Sequence, residues 1–151
     1  MIKKIITLLF IGVSLLISGC FYNTKPNEVG VRTSKLGIIE KKGIQNQIYA
    51  PGSTYIFPPI INDWHTYDIN LQNIEMTISI EKGDILGRDD LNFKTIDGND
   101  ISLDMIISYR VDPQKTPYIL GFVAENDREL RNKVVRVVAR SRPRDIFGQL
   151  E

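Results

Sequence analysis

The sequence predicts an α+β fold, an antiparallel β-sheet packed with helices and preceded by an N-terminal signal helix. Three observations carry that expectation. Segments with strand period fill residues 28–111, helix-opening signals appear only after them at Asp112-Pro113 and Asn126–Glu129, and the first nineteen residues read as an export signal. Strands followed by helices, rather than alternating with them, distinguish this arrangement from a parallel α/β sheet.

The leader opens with Lys3 and Lys4, and Ile5 to Ile17 is apolar apart from Thr7, Gly12 and Ser14. Ile17-Ser18-Gly19-Cys20 then resembles the lipobox of bacterial lipoproteins, in which an aliphatic residue and two small ones precede the acylated cysteine. The resemblance implies cleavage before Cys20 and acyl chains on that residue. Each buried methylene contributes roughly 0.8 kcal/mol, so several chains hold a protein stably on a bilayer. The alternative is an uncleaved signal anchor, because Ile5 to Tyr22 approaches the lower limit of about 18 apolar residues for a span. An anchor has no need of the small pair before Cys20. Either reading places the domain on the extracytoplasmic side of a bacterial membrane.

Residues 20–25 are expected to form a lipidated polar tether, with the domain proper running from Pro26 to Glu151. Glu28 to Thr33 alternates as a strand with Val29 and Val31 on one face. Tyr55-Ile-Phe57 is β-prone, but Pro58-Pro59 confines it to an edge. Trp64 to Ile80 reads as one long bulged strand, and Glu81 to Asp90 as a polar loop. Leu91 to Val111 reads as a hairpin turning at Asp97–Asp100, with Ile101, Leu103, Met105, Ile107, Tyr109 and Val111 on its buried face. Asp112 caps a short helix that begins with Pro113 and ends near Gly121. Asn126 and Glu129 form a capping box for a second helix, expected to stop at Pro143 and to bury Leu130, Val134, Val137 and Val138.

Composition sets further bounds. The 151 residues are 42% hydrophobic and 25% charged, which suits a globular domain with a core. Removing Lys3 and Lys4 changes 19 basic and 18 acidic groups to 17 and 18, a net charge of −1 that leaves no electrostatic footprint for nucleic acid. The single cysteine excludes an internal disulfide. Residues 101–151 hold 9 basic against 7 acidic groups, and Lys133, Arg136 and Arg140 lie on one side of the second helix. They are the candidate contact with an acidic neighbouring subunit or with lipid headgroups, against the simpler reading of a solvated charged face.

Catalytic readings find little footing. His65 is the sole histidine, which argues against a triad or a histidine metal site and for a structural role beside Trp64. Asp97–Asp100 fits hairpin geometry rather than a calcium loop. Asp89-Asp90 reads as a solvated pair in a loop. No metal, cofactor or enzymatic activity is expected.

The order of these segments resembles the band 7, or SPFH, domain of the stomatin, prohibitin and flotillin family. Pro26-Asn-Glu-Val-Gly-Val31, Leu36-Gly37, Ala50-Pro-Gly52 through Pro58, Thr95-Ile-Asp-Gly98 and Tyr109-Arg-Val-Asp-Pro113 carry the likeness. Ala50, Asn70 and the added loop Lys82–Asp90 depart from it. The resemblance implies a membrane-anchored scaffold that self-associates and organises or regulates membrane proteins, a membrane protease among them. Relatives continue into a coiled coil beyond the domain, so a fragment or another mode of assembly is implied. The alternative function is a monomeric lipoprotein that binds a ligand or protein partner.

Overall fold

A computed structural model describes residues 3–4, 21–37, 40–95 and 97–147, and the export signal, the lipobox residues Ile17, Ser18 and Gly19, and Cys20 lie outside them. Among the described residues no helix is long and apolar enough to cross a membrane. The expected α+β order is present: strands β1 (Phe21–Asn23), β2 (Glu28–Ser34), β3 (Gly43–Tyr49), β4 (Thr54–Ile56), β5 (Asn62–Asp68), β6 (Gln72–Met76), β7 (Leu91–Lys94), β8 (Asp100–Leu103) and β9 (Met105–Tyr109) precede the helices. All pair antiparallel, as a β3-β2-β5 sheet and three two-stranded ladders, β1-β4, β6-β9 and β7-β8.

β2 is central and is buried on both faces. Val29 and Val31 point toward Tyr67, Val111, Ala124 and Leu130, the first core cluster. Gly30 and Arg32 point the other way, under the Trp64 ring and beside Tyr49. A Cβ on Gly30 would stand 2.2 Å from Trp64 Cζ2, so only glycine lets the ring lie flat on the strand. Tyr67, on β5, donates its hydroxyl to the Ala124 carbonyl at 2.6 Å and so ties the sheet to the helical end.

Three strand expectations are corrected. Residues 21–24, expected in the tether, are part of the sheet structure: Phe21–Asn23 pairs with Ile56–Thr54 and buried Thr24 bonds the carbonyls of Ala50 and Ser53. Trp64 to Ile80 is two strands in different sheets, not one bulged strand. The break follows Asp68, whose amide donates to Asp127 and whose carboxylate accepts from Asn27, while Ile69 donates to the Asn27 carbonyl. The long strand to Val111 divides at Asp104, which takes bonds from Thr77 and Ile78 on both carboxylate oxygens.

Asp112 caps as expected, accepting from the Gln114 amide at 3.0 Å ahead of a 3-10 turn, Pro113–Lys115, and helix α1 (Thr116–Phe122). Gly121 does not end that helix. It lies inside it, where an added Cβ would meet Ile44 Cδ1 at 3.2 Å, so the glycine serves packing. Asn126 caps α2 (Asp127–Leu130), whose Glu129 reaches back to the Glu125 amide, one residue earlier than the box anticipated.

One π turn, Arg131–Val135, joins α2 to α3 (Arg136–Phe147). The extra residue in that turn rotates the helix, which corrects the expected core face. Leu130 and Val134 meet the first cluster, Val135 and Ala139 meet a second one built on Ile74 and Met76, and Val137 and Val138 stay exposed. Pro143 does not stop the helix either. It gives up one backbone bond, but buried Ala139 before it and the Arg144 bond to the Asn92 carbonyl after it hold the last turns against β7.

Gly30→Ala is expected to lower stability by about 1–3 kcal/mol through overpacking against Trp64. The urea midpoint should fall with the slope unchanged.

Candidate functional site

Two places gather side chains that could contact something outside the fold. The first lies between the loop after β6 and the C-terminal helix. Gly83, at a φ of +91°, turns the loop where a Cβ would meet the Thr77 side chain at 2.9 Å. Asp84 is thereby set against the Glu75 amide, and the Asp89 amide against the Thr77 carbonyl.

Asp84 pairs with Arg131 at 2.6 Å and lies 3.7 Å from Arg136, while buried Asp89 receives Arg136 on one oxygen and Arg140 on the other. Arg136 and Arg140 share a helix face by their four-residue spacing. Arg131, five residues before Arg136, joins them because the π turn aligns positions five apart. Burial pushes the Arg136 guanidinium below its ordinary pKa, opposed by Asp84.

This lattice engages the cations singled out on the helix. Arg136 is buried and spent within the chain, Arg140 shares its partner, and Lys133 pairs with Glu129, whose carboxylate that bond holds below its ordinary range. The three cations are thus each paired within the chain, with Lys133 and Arg140 still partly exposed. Nor are Asp89 and Asp90 merely solvated. Asp90 takes two bonds from Arg88, which hold its carboxyl at about 2.

The second place is the β1-β4 ladder and the aromatic layer beneath it. Tyr22, Tyr55 and Phe57 face inward, where their ring centroids lie 5.6, 5.7 and 6.0 Å from Trp64, and Tyr49 lies 5.0 Å from it. Arg32 stacks on Phe57 at 4.6 Å and donates to Tyr49, Asn62 and Glu40, so the layer encloses a charge whose hydrogen bonds are satisfied. Phe21 and Ile56, paired across the ladder, face outward, and Ile60 follows two prolines. All three are exposed, at 60, 65 and 71%.

The remaining residues singled out in the sequence fall apart in space or serve the backbone. His65 is half-buried opposite Val31 in the β2-β5 ladder. Asp97–Asp100 closes the β7-β8 hairpin, with the Gly98 amide donating to the Thr95 carbonyl at 3.0 Å. Among the described residues no three His, Cys, Asp or Glu side chains gather to hold a metal ion. Residues 22–151 match the family model of the SPFH domain / Band 7 family. No curated protein matches the chain.

Asp89→Ala leaves buried Arg136 without its main partner and is expected to cost about 3–5 kcal/mol in urea unfolding. Arg140→Ala, half-exposed, should cost about 1 kcal/mol or less. A depressed carboxylate pKa favours the fold above the unfolded value and loses that contribution as pH falls through the folded one. The Asp90 carboxyl should therefore stay ionised down to about pH 2 in an NMR titration, and return to the ordinary carboxylate range in Arg88→Gln.

Proposed function

The chain belongs to the SPFH/Band 7 family, whose members are generally membrane-associated and scaffold-like, and from that membership we propose a non-enzymatic scaffold anchored on the extracytoplasmic face of a bacterial membrane. The observation that carries the proposal is the coupling of this domain to the leader that ends in Ile17-Ser18-Gly19-Cys20. Lipid on Cys20 supplies the attachment, and the domain supplies the surface that organises or regulates neighbouring membrane proteins, with a membrane protease as one class of client.

Self-association is part of the proposal. Val137 and Val138 remain exposed side by side on α3, apolar surface that contact between copies would cover. On the other side of α3, Arg136 and Arg140 are held by Asp84 and Asp89, which fixes the face that Val137 and Val138 turn outward. The paired but partly exposed Lys133 and Arg140 border that surface and would add a polar rim to such a contact.

Intact mass of the membrane-extracted chain, wild type beside Cys20→Ala, followed by native size in mild detergent, tests this reading. The expected result is a leaderless, acylated wild type in assemblies well above monomer, and an unacylated variant. An unprocessed wild type would replace the lipid anchor by a signal anchor, and an acylated monomer would replace the scaffold by a ligand-binding lipoprotein.

A further inference from the structure

We infer that the hollow between the loop after β6 and the helical run from α2 to α3 is a binding site for a dianionic phosphate, inorganic or as a monoester. The inference stands apart from the membrane anchor and from self-association, and its failure would leave both untouched.

The hollow measures about 450 Å³ and is lined by Asp84, Ile85, Arg128, Arg131, Asn132 and Arg136. Two devices bring its three arginines to one wall. Arg128, Arg131 and Asn132 share a helix face by their spacing of three and four residues, and the π turn adds Arg136 five residues after Arg131. Asp84 meets Arg131 at 2.6 Å and Arg136 at 3.7 Å through the same oxygen, Oδ2, so both guanidinium groups already lie within reach of one oxyanion.

Cations outnumber carboxylates around this wall. Arg128, Arg131, Arg136 and Arg140 stand against Asp84 and Asp89, which leaves a surplus of two positive charges, and neighbouring Lys133 and Glu129 cancel each other. Glu125 borders a separate hollow on the far side of Arg128 and forms no ion pair with it.

Donors are in surplus as well. Among the described residues the Arg128 side chain makes no hydrogen bond or ion pair. Arg131 engages Asp84 and the Asn73 carbonyl, at 2.7 Å, through Nη2 alone, and its Nε and Nη1 have no acceptor. Arg136 is 7% exposed, and its buried Nε is likewise without an acceptor among the described residues. A buried N–H left open is rare in a native fold, and this one belongs to a residue that forms the wall of an open hollow.

A phosphate group matches this set. Its oxygens accept from several guanidinium groups at once, whereas a carboxylate is satisfied by one planar fork. Above its second ionisation, near pH 6, a monoester carries two negative charges, the number the arginines leave over, and a phosphodiester carries one. The volume falls within the range of small-molecule pockets, about 300–1,000 Å³, and Ile85 gives the organic part of a monoester an apolar wall. The site is also held in place beforehand, Asp84 by the Glu75 amide at 3.0 Å and Arg136 by Asp89.

The test uses the full chain in mild detergent at about pH 8, above the second phosphate ionisation, titrated calorimetrically with inorganic phosphate, phenyl phosphate and dimethyl phosphate. The arginine Nε–Hε signals of isotope-labelled protein report by NMR where each ligand lies. The expected result is saturable binding of inorganic and phenyl phosphate with the Arg136 signal shifted, and binding of dimethyl phosphate weaker by about tenfold or more. Arg128→Gln should weaken both phosphates by about tenfold and leave the urea midpoint in place.

No saturable response to either phosphate overturns the site, as does an Arg128→Gln chain that folds and binds unchanged. Dimethyl phosphate bound as tightly as phenyl phosphate overturns the dianion. Phosphatidylglycerol vesicles that displace phenyl phosphate and shift the same arginine signals overturn it in favour of a lipid headgroup.

Discussion

Strand β2 has no solvent face, and the architecture follows from covering it twice. Val29 and Val31 require an apolar layer on one side, which the helices and Tyr67 provide. Gly30 and Arg32 require something unusual on the other: a flat ring against the bare Cα and a set of acceptors for a buried guanidinium. Trp64, Tyr49, Asn62 and Glu40 meet those needs together. The aromatic layer is therefore a consequence of β2, and the β1-β4 ladder is in turn stacked upon that layer through Tyr22 and Tyr55. Each tier depends on the one below it.

The helical end solves a different problem. Two core clusters lie along the same helix, one under β2 and β5 and one under β6 and β9, and a regular α-helix would present a single stripe to both. The π turn changes the phase between them, so that Leu130 and Val134 serve the first and Val135 and Ala139 the second. The same rotation carries Arg136 inward. Its burial is tolerated because the loop after β6 returns with Asp84 and Asp89 to meet it. Core packing and the ionic lattice are thus two results of one inserted residue.

Much of the fold was legible in sequence because its signals are local. Alternation marked Glu28–Thr33 and the strands around Leu103–Val111, Asp112-Pro113 marked a helix start, and Asn126 marked another. The misreadings share a cause, which is that tertiary contacts overrode local pattern. Pro143 stays helical because α3 is held against β7, and Val137 and Val138 face outward because the π turn leaves no trace in residue period. The order of weak motifs read as band 7 was sufficient for the family, which residues 22–151 match. The site was less legible. Asp84 and Asp89 stand more than forty residues before their arginines, and no spacing rule links such positions. Phe21 and Ile56 were readable only once their partnership across a ladder was known.

Trp64 is the sole tryptophan, and three of the six tyrosines, Tyr22, Tyr49 and Tyr55, lie within 6 Å of it. Excitation absorbed by those phenols drains to one indole, so the intrinsic emission of this protein reports on the aromatic layer and is almost blind to the helices. Circular dichroism in the far ultraviolet weighs the opposite end. The molecule thus carries two built-in optical channels for its two tiers, and any loss of coincidence between them during unfolding would reveal that the aromatic layer and the helical end can part company.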